Sequence, residues 1–200
     1  MIAVLTGDII NSRKLNSNEW LPVLKNYFKE LAKENIRWEI YRGDSFQLEL
    51  PVQQALSTAV KLKALIKSKG NIDVRIAIGI GDKNYHAKNV TESNGTAYIN
   101  SGDAFEKIKN TTLILKSTSH EFDEYFTPIL KLLSFVCDNW KPVSAETIFM
   151  ALKYKDLTQK NLSVKLKRDA STVNKALKRA AYYEIIGILE LYSNKVKCMN

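Results

Sequence analysis

The sequence predicts an α+β fold: an antiparallel sheet with helices on one face through residues 1–118, then a mostly helical unit over 119–200. Three observations predict it. Short apolar runs alternate with longer stretches of helical spacing as far as Lys116. Two of those runs, "RWEIY" and "SFQLEL", bracket Arg42-Gly43-Asp44, which is a hairpin signal. Beyond Ser117-Thr118-Ser119, a short polar linker, helical spacing dominates.

The elements follow in order. "IAVLTGDII" is a short apolar run and reads as a buried strand. Asn16 or Ser17 can cap a helix; Asn16, with Glu19 three residues on, resembles a capping box, and Pro22 is tolerated in a first turn. Trp20, Leu24, Tyr27, Phe28 and Leu31 then recur at helical spacing, to about Glu34. After the hairpin, Pro51 opens a helix carrying Ala55, Leu56, Ala59, Val60, Lys63 and Ile66, which Gly70-Asn71 ends. "VRIAIGIG" is a strand with Ile76, Ile78 and Ile80 on one face. Residues 82–96 read as a polar loop, "SGDAFEKI" as a short helix and "TTLILK" as a last strand. The order β-α-β-β-α-β is the ferredoxin-like arrangement. In the second unit, Phe122–Trp140 and Ala145–Lys153 read as helices.

Composition limits the function classes. The apolar fraction of 45% suits a soluble protein with a core in each unit. No apolar run nears the roughly 20 residues that cross a membrane. The N-terminus lacks a basic region before its apolar run, so no export signal is read. Cys137 and Cys198 are expected to be reduced thiols, which points to the cytoplasm. With His86 and His120 they show no zinc spacing. The formal charge is +9 and the isoelectric point about 9.4. Eight basic residues against two acidic ones fall between Lys155 and Arg179, a stripe that suggests a polyanion.

Two aspartates carry candidate chemistry. The topology makes the first strand and the hairpin neighbours, so Asp8 and Asp44 come to one sheet edge. Two carboxylates there repel unless a cation lies between them or one is protonated. Magnesium is the natural cation, since it takes hard oxygen ligands. The loop "IINSR", with Asn11, Ser12 and Arg13, could receive a phosphate on its backbone N–H groups and small side chains. The structural alternatives are that Asp8 is a cap, Asp44 a turn residue, and Gly79 and Gly81 close-packing positions.

"TGDII", "YRGDSF", "VRIAIGIG" and "SGDAFEKIK" together resemble the catalytic palm of class III nucleotide cyclases and GGDEF domains. Over its full length the chain resembles the SatD family, which pairs such a domain with a helical one. The resemblance implies Asp8, Asp44 and the Ile9 carbonyl as ligands of Mg2+, with Arg42, Gly43 and Lys109 beside a nucleotide phosphate. It also implies a homodimer formed through the palm. Three positions depart from the pattern. Trp38 stands near the base-reading lysine, while Phe105 and Lys109 fall near the asparagine and arginine needed for turnover. The departures imply a sensing palm in place of an active enzyme.

The second informative stretch is "LTQKNLSVKLKRDASTVNKALKRA". Leu162, Val164 and Leu166 are expected to face inward on one short helix. Ser171 is expected to cap the next, with Val173, Leu177, Ala180 and Ala181 inward. Stepping 100° per residue sends Lys175, Lys178 and Arg179 to the opposite face. That is a helix-turn-helix pattern, and it resembles bacterial winged-helix regulators. "YEIIGILELYSNKVKCM" is read as two short wing strands around Ser193-Asn194. Lys160, Lys165, Lys167 and Arg168 are expected on DNA phosphates, and Ser171, Thr172, Lys175 and Arg179 on base edges, with Lys178 beside them. The resulting expectation is a cytoplasmic regulator that binds double-stranded DNA and whose palm senses a nucleotide or metal. The competing readings are a metal-dependent nucleotidyl cyclase or nucleotidyltransferase with a helical binding arm, and a protein-interaction module.

Overall fold

The computed structural model describes residues 1–199. Five strands form one mixed sheet: β1 (Ile2–Ile10), β2 (Arg37–Tyr41), β3 (Ser45–Leu50), β4 (Asp73–Gly81) and β5 (Leu113–Lys116). Their order is β2-β3-β1-β4-β5. The first four are antiparallel to their neighbours, and β5 runs parallel to β4. The fully antiparallel sheet expected from the sequence is therefore corrected at one edge. The physical reason is the connection: α3 (Thr96–Glu106) crosses over between β4 and β5, as a parallel pair requires.

Helices cover both faces of the sheet rather than one. Along β1, Ala3, Leu5 and Ile9 face a core that also takes Trp20, Leu24 and Phe28 of α1 (Ser17–Ala32) and Leu56, Ala59 and Leu62 of α2 (Ala55–Lys67). Val4 faces the other way, against Ala97 and Tyr98 of α3. Gly79 explains how α3 lies so close: a Cβ there would stand 2.2 Å from the Ala97 carbonyl and 2.2 Å from the Ser101 nitrogen. The glycine of "GIG" thus serves helix–sheet contact. Of the two expected caps it is Asn16 that caps α1, accepting from the Asn18 N–H.

Five helices follow: α4 (His120–Asp138), α5 (Pro142–Lys153), α6 (Gln159–Leu166), α7 (Ala170–Arg179) and α8 (Tyr182–Lys197). The core continues from the sheet into them without a break, because α5 lies along α2 and α4 along β5. The expected wing strands are one helix, α8. Ile185, Leu189, Tyr192 and Val196 are its buried residues, and steps of four, three and four make a helical stripe that alternating strands could not bury together. Tyr192 donates to the Val52 carbonyl at 3.0 Å, which ties α8 to the sheet half. Two smaller corrections concern the helix pair. Val164 points outward, because Leu162 and Leu166, four apart, already form the inward row of α6. Asp169 and not Ser171 caps α7, since its carboxylate accepts from the Thr172 N–H at 2.7 Å.

Candidate functional site

Near the C-terminal end of β1, the central strand, the ladder sets Asp8 opposite Ser45 on one side and Arg75 on the other. Cross-strand partners point to the same face, so the guanidinium meets the carboxylate directly. Arg75 Nε donates to Asp8 Oδ1 at 2.8 Å, and Nη2 donates to Oδ2 at 2.5 Å. The hydrogen bonds that it donates to Asp8 push the Arg75 guanidinium pKa further up, and the guanidinium also lies over Phe105, 5.3 Å from the ring centre. Asp44 sits after a tight turn in which Arg42 and Gly43 are both left-handed. Its carboxylate accepts from Ser12 Oγ at 2.7 Å, and its carbonyl accepts from the Ile9 N–H at 3.1 Å.

The structure thus brings Asp8, Ile9, Ser12, Arg42, Gly43 and Asp44 to one end of the sheet. Asn11, left-handed, and Arg13 are exposed beside them. Lys109 is exposed in the α3–β5 connection and makes no ion pair with either aspartate among the described residues. Trp38 packs on Phe28 with ring centres 5.5 Å apart. As arranged, this end does not fit a divalent cation. Asp8 already carries its counter-charge as a bidentate pair, and a bare ion would have to displace it. Among the described residues no group of three His, Cys, Asp or Glu side chains converges on a common point.

The second candidate surface is α7. Ser171, Lys175, Lys178 and Arg179 are exposed, while Val173, Ala176 and Leu177 are buried behind them. Thr172 is less free, because its hydroxyl donates to Asp169 at 2.6 Å. That bond holds the Asp169 carboxyl below the usual carboxylate range. On α6 and the turn, Lys160 and Lys167 are exposed, and Lys165 lies over the Tyr154 ring at 4.2 Å. Arg168 is committed elsewhere: it donates to Glu146 of α5 at 2.6 Å and holds the turn to that helix. A groove of about 300 Å³ runs between α7 and the α4–α5 turn, lined by Lys141, Ser144, Thr172, Lys175 and Arg179. Trp140 donates to the Ala180 carbonyl at 3.0 Å, which fixes that turn against the end of α7.

Sequence reasoning missed Lys141 and Ser144, which lie some thirty residues upstream of α7 with no spacing to announce them. It also missed two networks. Glu49 accepts from Arg37 and from Lys83, each at 2.8 Å, and from Tyr98. Lys63, fully buried, reaches Asp73 at 2.9 Å, Asp138 at 2.8 Å and Thr112 at 2.6 Å. A lysine at an apolar-face position of α2 was the available signal for the second. No model of a known protein family matches the chain, and no curated protein matches it. Among the described residues, no helix is long and apolar enough to cross a membrane.

Proposed function

We propose that this chain is a cytoplasmic regulator that binds double-stranded DNA through the helix pair α6–α7. The observation that carries the reading is the outer face of α7. Lys175, Lys178 and Arg179 stand exposed on a helix whose opposite side is buried, and none of them makes an ion pair among the described residues. Cations held on a rigid scaffold without a partner suit a phosphate backbone. Lys160, Lys165 and Lys167 extend the same sign of charge along the pair. In this reading α7 enters the major groove, where Ser171, Lys175 and Arg179 meet base edges.

The test is fluorescence anisotropy of a labelled duplex titrated with protein over a range of salt. Wild type should bind with a steep salt dependence. Each lost phosphate contact should flatten the log–log slope by about 0.9. Lys178→Ala and Arg179→Ala should therefore both weaken binding and flatten the slope. Unchanged binding in both variants sinks the assignment.

The sheet half is read as a ferredoxin-like palm, supported by the order β2-β3-β1-β4 with antiparallel neighbours. Its exposed Arg13 and Arg42 near the neutralised Asp8 favour an anion over a bare cation at that end of the sheet. A nucleotide phosphate is the proposed ligand. Calorimetric titration of ATP or GTP, with and without magnesium, tests it: heat lost in Arg13→Ala and Arg42→Ala supports the reading, and no heat in wild type ends it.

A further inference from the structure

Helix α4 has two apolar faces, and the fold uses one. Phe122, Phe126, Leu130, Leu133 and Cys137 go into the core. On the other side Tyr125 is 46%, Leu132 63% and Phe135 67% exposed. With Pro128, also exposed, these positions step by three, four and three. That is the spacing by which one helix offers a seam to another. Ile129 and Val136, half-buried, widen the seam along one flank. A monomer that keeps this much large apolar surface on a single helix leaves it in water at a cost in solubility.

The charges at the two ends of the stripe say what covers it. The N-terminal end carries Glu121 and Glu124, both exposed, with His120 beside Glu124 and Lys195 of α8 over the Tyr125 ring at 5.2 Å. The C-terminal end carries Lys141, exposed just past the end of α4. The acidic excess lies at one end and the basic charge at the other, and Lys131 flanks an otherwise apolar middle. Such a surface is complementary to itself when turned end for end. A two-fold axis near Ile129–Leu132 sets Tyr125 of one chain against Phe135 of the other, and the acidic end of each on the basic end of its mate. Antiparallel pairing also opposes the helix dipoles favourably. An interface that repeats the same patch on both sides is the usual form of a homodimer.

We infer that α4 is a homodimer interface in which two copies of this chain pair antiparallel. The contact lies on the outer face of α4, whose inner face packs on β5, and does not depend on DNA. It is tested without DNA, by sedimentation of the full chain over a wide concentration range. The expected result is a monomer–dimer equilibrium. Leu132→Asp with Phe135→Asp should abolish the dimer while the circular dichroism spectrum and melting stay as in wild type, because both side chains are exposed. Glu121→Lys should weaken the dimer at least several-fold, and adding Lys141→Glu should restore it. If the aspartate pair disturbs folding, the charge reversal and its rescue still decide. A wild type that stays monomeric overturns the inference, as does a dimer indifferent to the aspartate pair. Failure of Lys141→Glu to restore pairing overturns the antiparallel arrangement.

Discussion

The sheet half and helix α7 handle charge in opposite ways. In the sheet half Asp8 holds Arg75, Glu49 holds Arg37 and Lys83, and Lys63 holds Asp73 and Asp138. Each pair joins two different segments of the fold. On α7, Lys175, Lys178 and Arg179 face solvent and make no ion pair among the described residues. The difference separates two uses of the same residue types. A charge that finds its partner within the chain holds geometry. A row of like charges left without partners raises the local potential and waits for something of opposite sign. Removing the first kind should therefore show in stability, and removing the second in binding.

The largest effect is expected at Lys63. Its ammonium has three protons, and acceptors from Asp73, Asp138, Thr112 and the Val74 carbonyl surround it. Lys63→Met would leave Asp138 without its cation, although Lys67 would still hold Asp73 at 3.0 Å. Breaking a buried pair on one side costs about 3–5 kcal/mol. The lower end is expected, because the Asp138 side chain is 32% exposed. The urea midpoint measures it. A loss below about 1 kcal/mol, the range of exposed pairs, would mean that packing alone joins α2, β4 and α4.

Next comes Glu49. Burial pushes its carboxyl up, but hydrogen bonds from Lys83 and Tyr98 and the charge of Arg37 outweigh that, and the net shift is downward. The folded protein thus keeps this carboxylate charged to lower pH than the unfolded chain does. Its contribution is present above the ordinary carboxylate range and is lost as pH falls through the lowered folded value. Glu49→Gln should cost about 1–2 kcal/mol at neutral pH. The gap between variant and wild type should close as the medium is acidified below about pH 4. A gap that persists in acid would assign the cost to shape rather than to charge.

A smaller loss is expected from Asp8→Asn. The Asp8 side chain is 21% exposed and Arg75 39%, so water already screens the pair, and about 1 kcal/mol is at stake. This pair was the part of the candidate site least legible in the sequence. The positions of Asp8 and Asp44 at one end of the sheet followed from strand order. The partner of Asp8 did not, because Arg75 is 67 residues away and only the β1–β4 register brings it opposite. The same limit hid Arg168, whose engagement with Glu146 depends on how α5 packs. Elements with a clear period were legible: β1, α1, α2, β4 and the hairpin. Helix α8 was not, because Tyr183, Ile185, Ile186 and Ile188 carry strand-like composition and Ser193-Asn194 resembles a turn. Its true signal was the spacing of the four buried residues, which composition masked.

The smallest stability effect is expected where the binding effect is expected to be large. Lys175→Ala, Lys178→Ala and Arg179→Ala combined remove three exposed cations from α7 and touch none of its buried residues. Surface substitutions of this kind shift stability by about 0.5 kcal/mol or less in either direction. Relief of repulsion among the three offsets the aliphatic packing lost with their stems. The unfolding midpoint should therefore stay near that of wild type while duplex affinity falls and its salt dependence flattens. The contrast with Lys63→Met is the decisive comparison, since that variant should lower stability and leave the affinity of the folded protein for DNA intact. If instead the α7 variant unfolds early, those cations are paired in solution, and the division between structural and functional charge fails on the helix where it is drawn most sharply.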